Sequence, residues 1–136
     1  MSGPRLLVTG SRDWTDAAII EAALAAAWID LRSAGQITLV HGDCARGADR
    51  IARNIWRGRG HTDEPHPANW ENGRGSGHAR NAEMFASGID LCLAFPTACH
   101  QKGCTRRDWH LSHGTAGAIE LAHKAGIEVR VYMAGH

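Results

Sequence analysis

Three glycine-bearing segments of this 136-residue chain lie where a strand is expected to pass into a helix. They are residues 8–12 (VTGSR), 40–49 (VHGDCARGAD) and 112–115 (SHGT). Glycine lets the backbone approach a ligand closely, and a helix N-terminus offers unpaired N–H groups and partial positive charge to a phosphate. If the three turns meet at one edge of a sheet, they form a pocket suited to a nucleotide.

The apolar pattern alternates between strand and helix along the chain. Strands are predicted at 5–10, 36–41, 89–95 and 127–132, with at most a short one near 62–66. Helices are predicted from Thr15 or Asp13 to Gly35, and at 48–58, 77–86 and 115–125. This order predicts an α/β fold: a Rossmann-like, doubly wound, mostly parallel sheet of about five strands flanked by helices. The last strand alternates apolar and polar residues, which indicates a sheet edge.

Composition limits the class of protein. Hydrophobic residues make up 43% and charged residues 21%, and the length suits a single domain over residues 1–136. A formal net charge of +1 provides no field that would attract nucleic acid or an anionic membrane. No apolar run approaches the roughly 20 residues that span a bilayer, and residues 1–5 show no signal-peptide pattern. We therefore expect a cytoplasmic protein that contacts no membrane, and the charge disfavours nucleic-acid binding.

The first two turns carry the candidate ligand contacts. The first turn lacks both the G-x-G-x-x-G spacing of dinucleotide-binding proteins and the G-K-[ST] of a P-loop, which disfavours ordinary NAD binding or ATP hydrolysis. In the second turn, Gly42 and Gly47 bracket Asp43 and Arg46, so that amides, a carboxylate and a guanidinium are expected in one cleft. Asp49 either belongs to this cleft or is a first-turn acid that offsets the helix dipole.

A long glycine-rich loop, residues 58–78, leads into the third helix. Arg80 lies in the first turns of that helix, where its positive charge opposes the dipole, so we expect Arg80 to contact an anion, with Asn81 beside it. Trp14 and Trp70 lie in polar loops near the cleft, where an indole ring could stack on a base.

Trp28 and Trp56 lie on helices, where we assign them to packing or to an oligomer face. On this basis we expect a homo-oligomer.

A polar insertion at about 97–113 contains two thiols and two imidazoles, a ligand set suited to a structural zinc ion. The four candidate ligands are Cys99, Cys104, His110 and His113. The alternative is a loop with reduced cysteines. Cys44 and Cys92 are expected to be small buried residues.

Six motifs occur in order along the chain: VTGSRDW (8–14), HGDxxRGAD (41–49), PANW (67–70), RNxxM (80–84), AFP (94–96) and GT (114–115). In this order they resemble the YspA (cpYpsA-related) branch of the SLOG superfamily, DUF2493. The resemblance extends from Leu6 to Val131. It implies a Rossmann-like fold and a pocket that recognises the phosphate and ribose of a nucleotide or a nucleotide-derived molecule.

The superfamily includes the Lonely Guy phosphoribohydrolases, which carry an arginine in an R-x-x-x-M motif and a glutamate in P-G-G-x-G-T-x-x-E. Arg80 and Met84 match the first motif, but position 118 holds alanine where the second has its glutamate. Glu120 lies two residues later, which is about 200° further round a helix. The resemblance therefore favours binding over cleavage of an N-glycosidic bond.

Three functions follow from these residues. The first is the binding of a nucleotide-derived small molecule, to sense or sequester it. The second is an N-glycosidic hydrolase or transferase acting on nucleoside monophosphates, in which Arg80 positions the phosphate and Asp43, Asp49 or Glu120 supplies the carboxylate. The third is a contact with single-stranded DNA like that of the relative DprA, which the near-neutral charge disfavours.

The expected ligand-binding residues are Gly10, Ser11, Arg12, Trp14, Gly42, Asp43, Arg46, Gly47, Asp49, Trp70, Arg80, Asn81, Pro96, Gly114 and Thr115.

Overall fold

The computed structural model describes residues 3–69, 75–99, 104 and 111–133. The strands are β1 (Arg5–Gly10), β2 (Thr38–His41), β3 (Asp63–Pro65), β4 (Leu91–Phe95) and β5 (Val129–Val131). The helices are α1 (Ala17–Leu31), α2 (Ala48–Gly58), α3 (Ser76–Ala86) and α4 (His113–Lys124), and a 3₁₀ turn (Arg32–Ala34) follows α1.

The five strands form one parallel sheet in the order β3-β2-β1-β4-β5. The chain moves outward from β1 to β3, returns to the other side of β1 with β4 and ends at β5. The strand order therefore reverses between β1 and β4, where Gly10 lies opposite Phe95. These features confirm the predicted Rossmann-like α/β fold, and β5 lies at an edge as its alternation predicts.

Side chains pack on both faces of the sheet because a parallel sheet is covered by helices on both sides. Leu6 and Val8 point to the face that α1 and α2 cover, whereas Leu7 points to the face that α3 and α4 cover. All five residues of β4 are buried. The short apolar runs of the sequence are thus strands buried on both faces.

Some boundaries differ from the predicted ones. The N-cap of α1 is Asp16, whose Oδ1 accepts the Ile19 N–H at 3.2 Å, so the prediction of Thr15 or Asp13 as the cap is wrong. The strand β2 begins at Thr38, two residues late, and α4 begins at His113, two residues early. No helix formed by the described residues is long and apolar enough to cross a membrane.

Candidate functional site

The three glycine turns meet at the carboxyl edge of the sheet. Ser11, directly after β1, donates its N–H to the Phe95 carbonyl at the end of β4 (3.0 Å) and accepts the Ala48 N–H at the start of α2 (3.1 Å). Thr97 donates its hydroxyl to Ser11 Oγ (2.8 Å), and its carbonyl accepts the Ser112 N–H just before α4 (2.8 Å). One chain of hydrogen bonds therefore joins the turns that precede α1, α2 and α4.

The backbone and hydroxyl groups of Ser11 hold this arrangement together. Its hydroxyl also accepts the Asp13 N–H at 3.0 Å, and the residue is only 6% exposed. Each polar group of Ser11 thus has a partner within the protein. In this structure the residue holds the turns together, and a contact between its hydroxyl and a ligand stays a prediction.

Gly47 caps α2 in a conformation that suits glycine. Its φ is +81°, and an added Cβ would lie 2.4 Å from both the Ser11 carbonyl oxygen and the Arg12 Cα. A side chain here would be strained by the backbone and would also collide with the first turn. Gly47 therefore allows the first and second turns to come into contact.

Asp43 and Arg46, which Gly42 and Gly47 bracket, have different partners. The carboxylate of Asp43 lies 3.6 Å from Arg53 on α2. The exposed side chain of Arg46 pairs with Asp13 at 3.8 Å. An ion pair at this distance between exposed groups contributes little to stability, so Arg46 can exchange Asp13 for a ligand anion at small cost.

His41, at the end of β2, was missed by the sequence reasoning. It is fully buried; its Nδ1 accepts the Asp43 N–H (3.1 Å) and its Nε2 lies 2.7 Å from Asp63 Oδ2. Because Nδ1 accepts, Nε2 carries the proton of the neutral ring. The signal available in the sequence was a histidine that ends an apolar strand and precedes a glycine.

Asp49 lies inside the site and is only 6% exposed. Its Oδ2 accepts the Gly42 N–H at 2.9 Å, whereas its Oδ1 makes no well-formed hydrogen bond to the described residues. Burial raises the pKa of this carboxyl, and the Gly42 bond, nearby His41 and Arg80 and a hydrogen bond from the Cys44 thiol offset part of that rise. Asp49 is a first-turn acid of α2, as one of the two sequence interpretations has it, and it is also buried beside the second turn.

The Cys44 thiol lies beside the same carboxyl. Burial, together with the charge of Asp49, raises the pKa of the Cys44 thiol, which keeps it protonated and a weak donor. Cys44 is half-buried, so the prediction of a buried filler is wrong for it. For Cys92 the same prediction is confirmed, since that residue is fully buried and burial raises its pKa to about 12.

Arg80 reaches from α3 to the second turn. Its Nη1 donates to the carbonyls of Gly42 (2.6 Å) and His66 (3.4 Å), and its Nε donates to Asn81 Oδ1 (2.8 Å). These described partners are all neutral groups. Beside the guanidinium, a cavity of about 410 Å³ opens between Pro67 and the first turns of α3. Arg80 thus lines this cavity, whereas Asn81 is buried beside the guanidinium, and contact of either residue with a ligand stays a prediction.

The third turn contributes a buried threonine and no carboxylate. Thr115 is 2% exposed and hydrogen-bonds with Ser112, whereas Gly114 is exposed. Ala118 packs in the core, while Glu120 is two-thirds exposed and pairs with Lys124 at 3.2 Å. The structure therefore turns Glu120 away from position 118, as the helical rotation predicts.

The structure contradicts the prediction that Trp14 stacks on a ligand base. It is 2% exposed, packs edge-on against Phe95 and donates its indole N–H to the Asp16 carbonyl. This burial makes the ring inaccessible to a ligand base, so the expected stacking role is wrong for Trp14. Pro96 is also buried, directly after β4. Trp70 lies outside the described residues.

The helix tryptophans pack within this chain. Trp56 is 2% exposed, and Trp28 packs against the same core and under Arg32. Packing, one of the two sequence interpretations, therefore accounts for both residues.

The insertion leaves and re-enters the fold at this edge, where Ala98 and Leu111 form an antiparallel bridge. Among the described residues, no three His, Cys, Asp or Glu side chains are grouped to hold a metal ion. His110 and the side chain of His113 lie outside the described part of the chain. The zinc set of Cys99, Cys104, His110 and His113 therefore stays a prediction.

Comparison with known proteins gives two matches. The family model described as "YspA, cpYpsA-related SLOG family" matches residues 4–73, which include β1, β2, β3 and the first two glycine turns. The "Gene 61 protein" of Mycobacterium phage D29 is 41% identical over 131 residues. That alignment covers 92% of this chain and 93% of the phage protein.

Proposed function

Because the chain belongs to the YspA, cpYpsA-related SLOG family, we propose that it binds a nucleotide or a nucleotide-derived small molecule at the carboxyl edge of its sheet. The observation that carries the proposal is the hydrogen-bond chain from Ala48 through Ser11 and Thr97 to Ser112. It holds three glycine turns side by side where the strand order reverses, which is where such sheets bind ligands.

In this proposal, phosphate groups lie against the turns and near the helix N-termini. The exposed backbone of Gly114 allows close approach, Gly10 and Gly42 let Ala48 and Arg80 pack against the turns, and the N-termini of α2 and α4 supply partial positive charge. Arg12 and Arg46 are exposed at the same edge. Arg80 provides a guanidinium that a phosphate would bind more strongly than the neutral carbonyls do, because the hydrogen bond would be charge-assisted at both ends.

Isothermal titration calorimetry tests the proposal. We expect the purified protein to bind at least one of AMP, ADP-ribose and the cyclic ADP-ribose isomers, and Arg80→Ala to weaken that binding about tenfold or more. Arg59→Ala is the matched control, because Arg59 pairs with Glu21 on the outer surface. Absence of binding to the unmodified protein at millimolar concentrations of every ligand would overturn the proposal.

Asp49 supports a second candidate, cleavage of an N-glycosidic bond. Such chemistry uses a carboxyl group of raised pKa beside the sugar, and Asp49 is buried next to Arg80. Of the other carboxylates considered, Glu120 is turned away and Asp43 faces Arg53. Release of adenine from AMP, lost in Asp49→Asn and retained in Glu120→Gln, would support this activity. Binding of AMP without release of adenine would exclude it for this nucleotide.

A further inference from the structure

The buried ring of His41 is bonded to the second glycine turn. It lies at the end of β2, and its Nδ1 accepts the Asp43 N–H at 3.1 Å. Asp43 has a φ of +53°, a left-handed conformation that residues other than glycine adopt infrequently. A backbone in such a conformation persists only where the surrounding groups fix it. The bond from Asp43 to His41 is therefore one of the contacts that give this turn its shape.

Asp63 and Arg57 determine which nitrogen of the His41 ring carries the proton. Asp63 Oδ2 lies 2.7 Å from His41 Nε2, and Arg57 donates to both oxygens of the same carboxylate at 2.7 and 2.9 Å. The bonds from Arg57 and His41 hold the pKa of Asp63 below its usual range, so this carboxylate stays ionised and keeps the proton on Nε2. Nδ1 of the neutral ring then has a lone pair for the Asp43 N–H.

We propose that His41 is the positioning residue of the second glycine turn, and that protonation of its Nδ1 releases the turn and weakens ligand binding. When Nδ1 gains a proton, both ring nitrogens are donors, so Nδ1–H and the Asp43 N–H face each other without an acceptor. Asp43 then turns away, and residues 44–47, which lead to the N-terminus of α2, move with it. The effect on binding rests on the proposed function, which places phosphate near that N-terminus.

The direction of this pH effect is opposite to that of a simple charge effect. A proton added near an anion site increases the positive charge there and by itself strengthens the binding of a phosphate. Loss of the bond between His41 and Asp43 instead weakens binding as pH falls through the range of about 8 to 5 in which histidines generally titrate. A fall in affinity on acidification therefore distinguishes release of the turn from the added charge.

Other charged groups around the turn come from α2 and α3. Asp49 accepts the Gly42 N–H, and because burial raises the pKa of Asp49, its own titration also bears on the turn. The Asp43 carboxylate lies 3.6 Å from Arg53, and Arg80 donates to the Gly42 carbonyl. Both arginines stay charged throughout this pH range. Asp49→Asn removes the titration at that site and should keep the pH dependence of the Asp43 amide.

Nuclear magnetic resonance of the ligand-free, ¹⁵N-labelled protein between about pH 8 and pH 5 tests the positioning role. We expect the His41 proton on Nε2 at the higher pH, and the Asp43 amide resonance to shift as Nδ1 becomes protonated. In His41→Asn, Oδ1 replaces Nδ1 as the acceptor but does not titrate, so the Asp43 amide should no longer follow pH. His123→Asn makes the same change at an exposed position of α4 and should leave the titration of the Asp43 amide in place.

Calorimetry with AMP and ADP-ribose at both ends of this pH range tests the effect on binding. We expect acidification to weaken binding by the unmodified protein about threefold or more beyond its effect on His41→Asn, as the loss of one hydrogen bond predicts. Any titration of the ligand phosphate is common to the two proteins. The difference between their pH profiles therefore belongs to His41.

The outcomes separate this inference from the proposed function. If the His41 ring does not titrate in this range, or if it titrates and the Asp43 amide does not respond, the positioning role is wrong while nucleotide binding stands. The same holds for the effect on binding if the unmodified protein and His41→Asn have equal pH profiles. If no nucleotide binds, that effect falls with the proposed function, and the resonance titration still decides whether His41 positions the turn. The titration of the unmodified protein decides this even if His41→Asn does not fold.

Discussion

At the scale of the residue, Gly42 has no room for a methyl group. In Gly42→Ala the new Cβ would lie 2.3 Å from Arg80 Nη1, so the arginine would have to leave the second turn. We expect the substitution to lower the free energy of unfolding by about 1 kcal/mol, because the end of Arg80 moves aside and its hydrogen bond to the Gly42 carbonyl is lost. Urea denaturation measures the stability, and calorimetry with AMP measures the accompanying loss of affinity.

Gly117, inside α4, is the matched control for Gly42. An added Cβ at Gly117 meets nothing within 4 Å. Since alanine loses less backbone entropy than glycine when a helix forms, Gly117→Ala should raise stability by about 0.5–1 kcal/mol. Equal effects of the two substitutions would contradict the close approach of Arg80 to Gly42.

At the scale of the element, side chains hold the three-residue strand β3 in place. The Glu64 carboxylate accepts two hydrogen bonds, at 3.0 and 2.6 Å, from the guanidinium of Arg5 on β1, which lies beyond β2. The same carboxylate lies 2.5 Å from His66 Nε2. The Arg5 and His66 partners lower the pKa of Glu64 to about 2. A carboxyl whose pKa is lower in the folded state stabilises the fold above its unfolded pKa and loses that contribution as pH falls.

Glu64→Gln should therefore cost stability at neutral pH and little at low pH. Glu64 is 38% exposed, so solvent screening limits the expected loss to about 1 kcal/mol at pH 7. The difference from the unmodified protein should shrink as pH falls from about 5 towards 2. Urea titrations across this range measure it, and Glu21→Gln, in an exposed pair with Arg59, should change stability by a few tenths of a kcal/mol. A pH-independent difference would show that the ion pair does not hold β3.

At the scale of the whole molecule, the sheet separates two unequal cores. The buried cluster on the side of α1 and α2 has fifteen described members, including Trp14 and Trp56, whereas the cluster on the side of α3 and α4 has eight. Because opening costs less where less apolar surface is buried, α3 and α4 should open before the rest of the fold.

Hydrogen exchange followed by mass spectrometry tests this difference. Amides of α3 and α4 should exchange faster than those of β1, β4 and α2, and a bound nucleotide should slow exchange in α3, since Arg80 contacts it in the proposed complex. Slower exchange in α4 than in α2 would contradict the expected order of opening.

Much of the fold could be predicted because its signals are local. The predicted strand at 5–10 matches β1, and the one at 89–95 starts two residues before β4, since a strand buried on both faces needs an unbroken apolar sequence. The helix α2 has its predicted bounds because Gly47 precedes it and it ends at Gly58. The cap of α1 was missed because Asp13 and Asp16 are chemically alike; in the structure the Asp13 N–H bonds to Ser11, and Asp16 accepts the Ile19 N–H.

The sequence by itself determined that strands and helices alternate, that the sheet is parallel and that three glycine turns lie at its carboxyl edge. Only the tertiary structure decided which side chains at that edge are bonded within the protein. Ser11 and Trp14 are engaged within the fold, whereas Asp49 and Arg80 meet at Gly42 from different helices. Those contacts join segments that are far apart in the chain, and local periodicity carries no information about such partners.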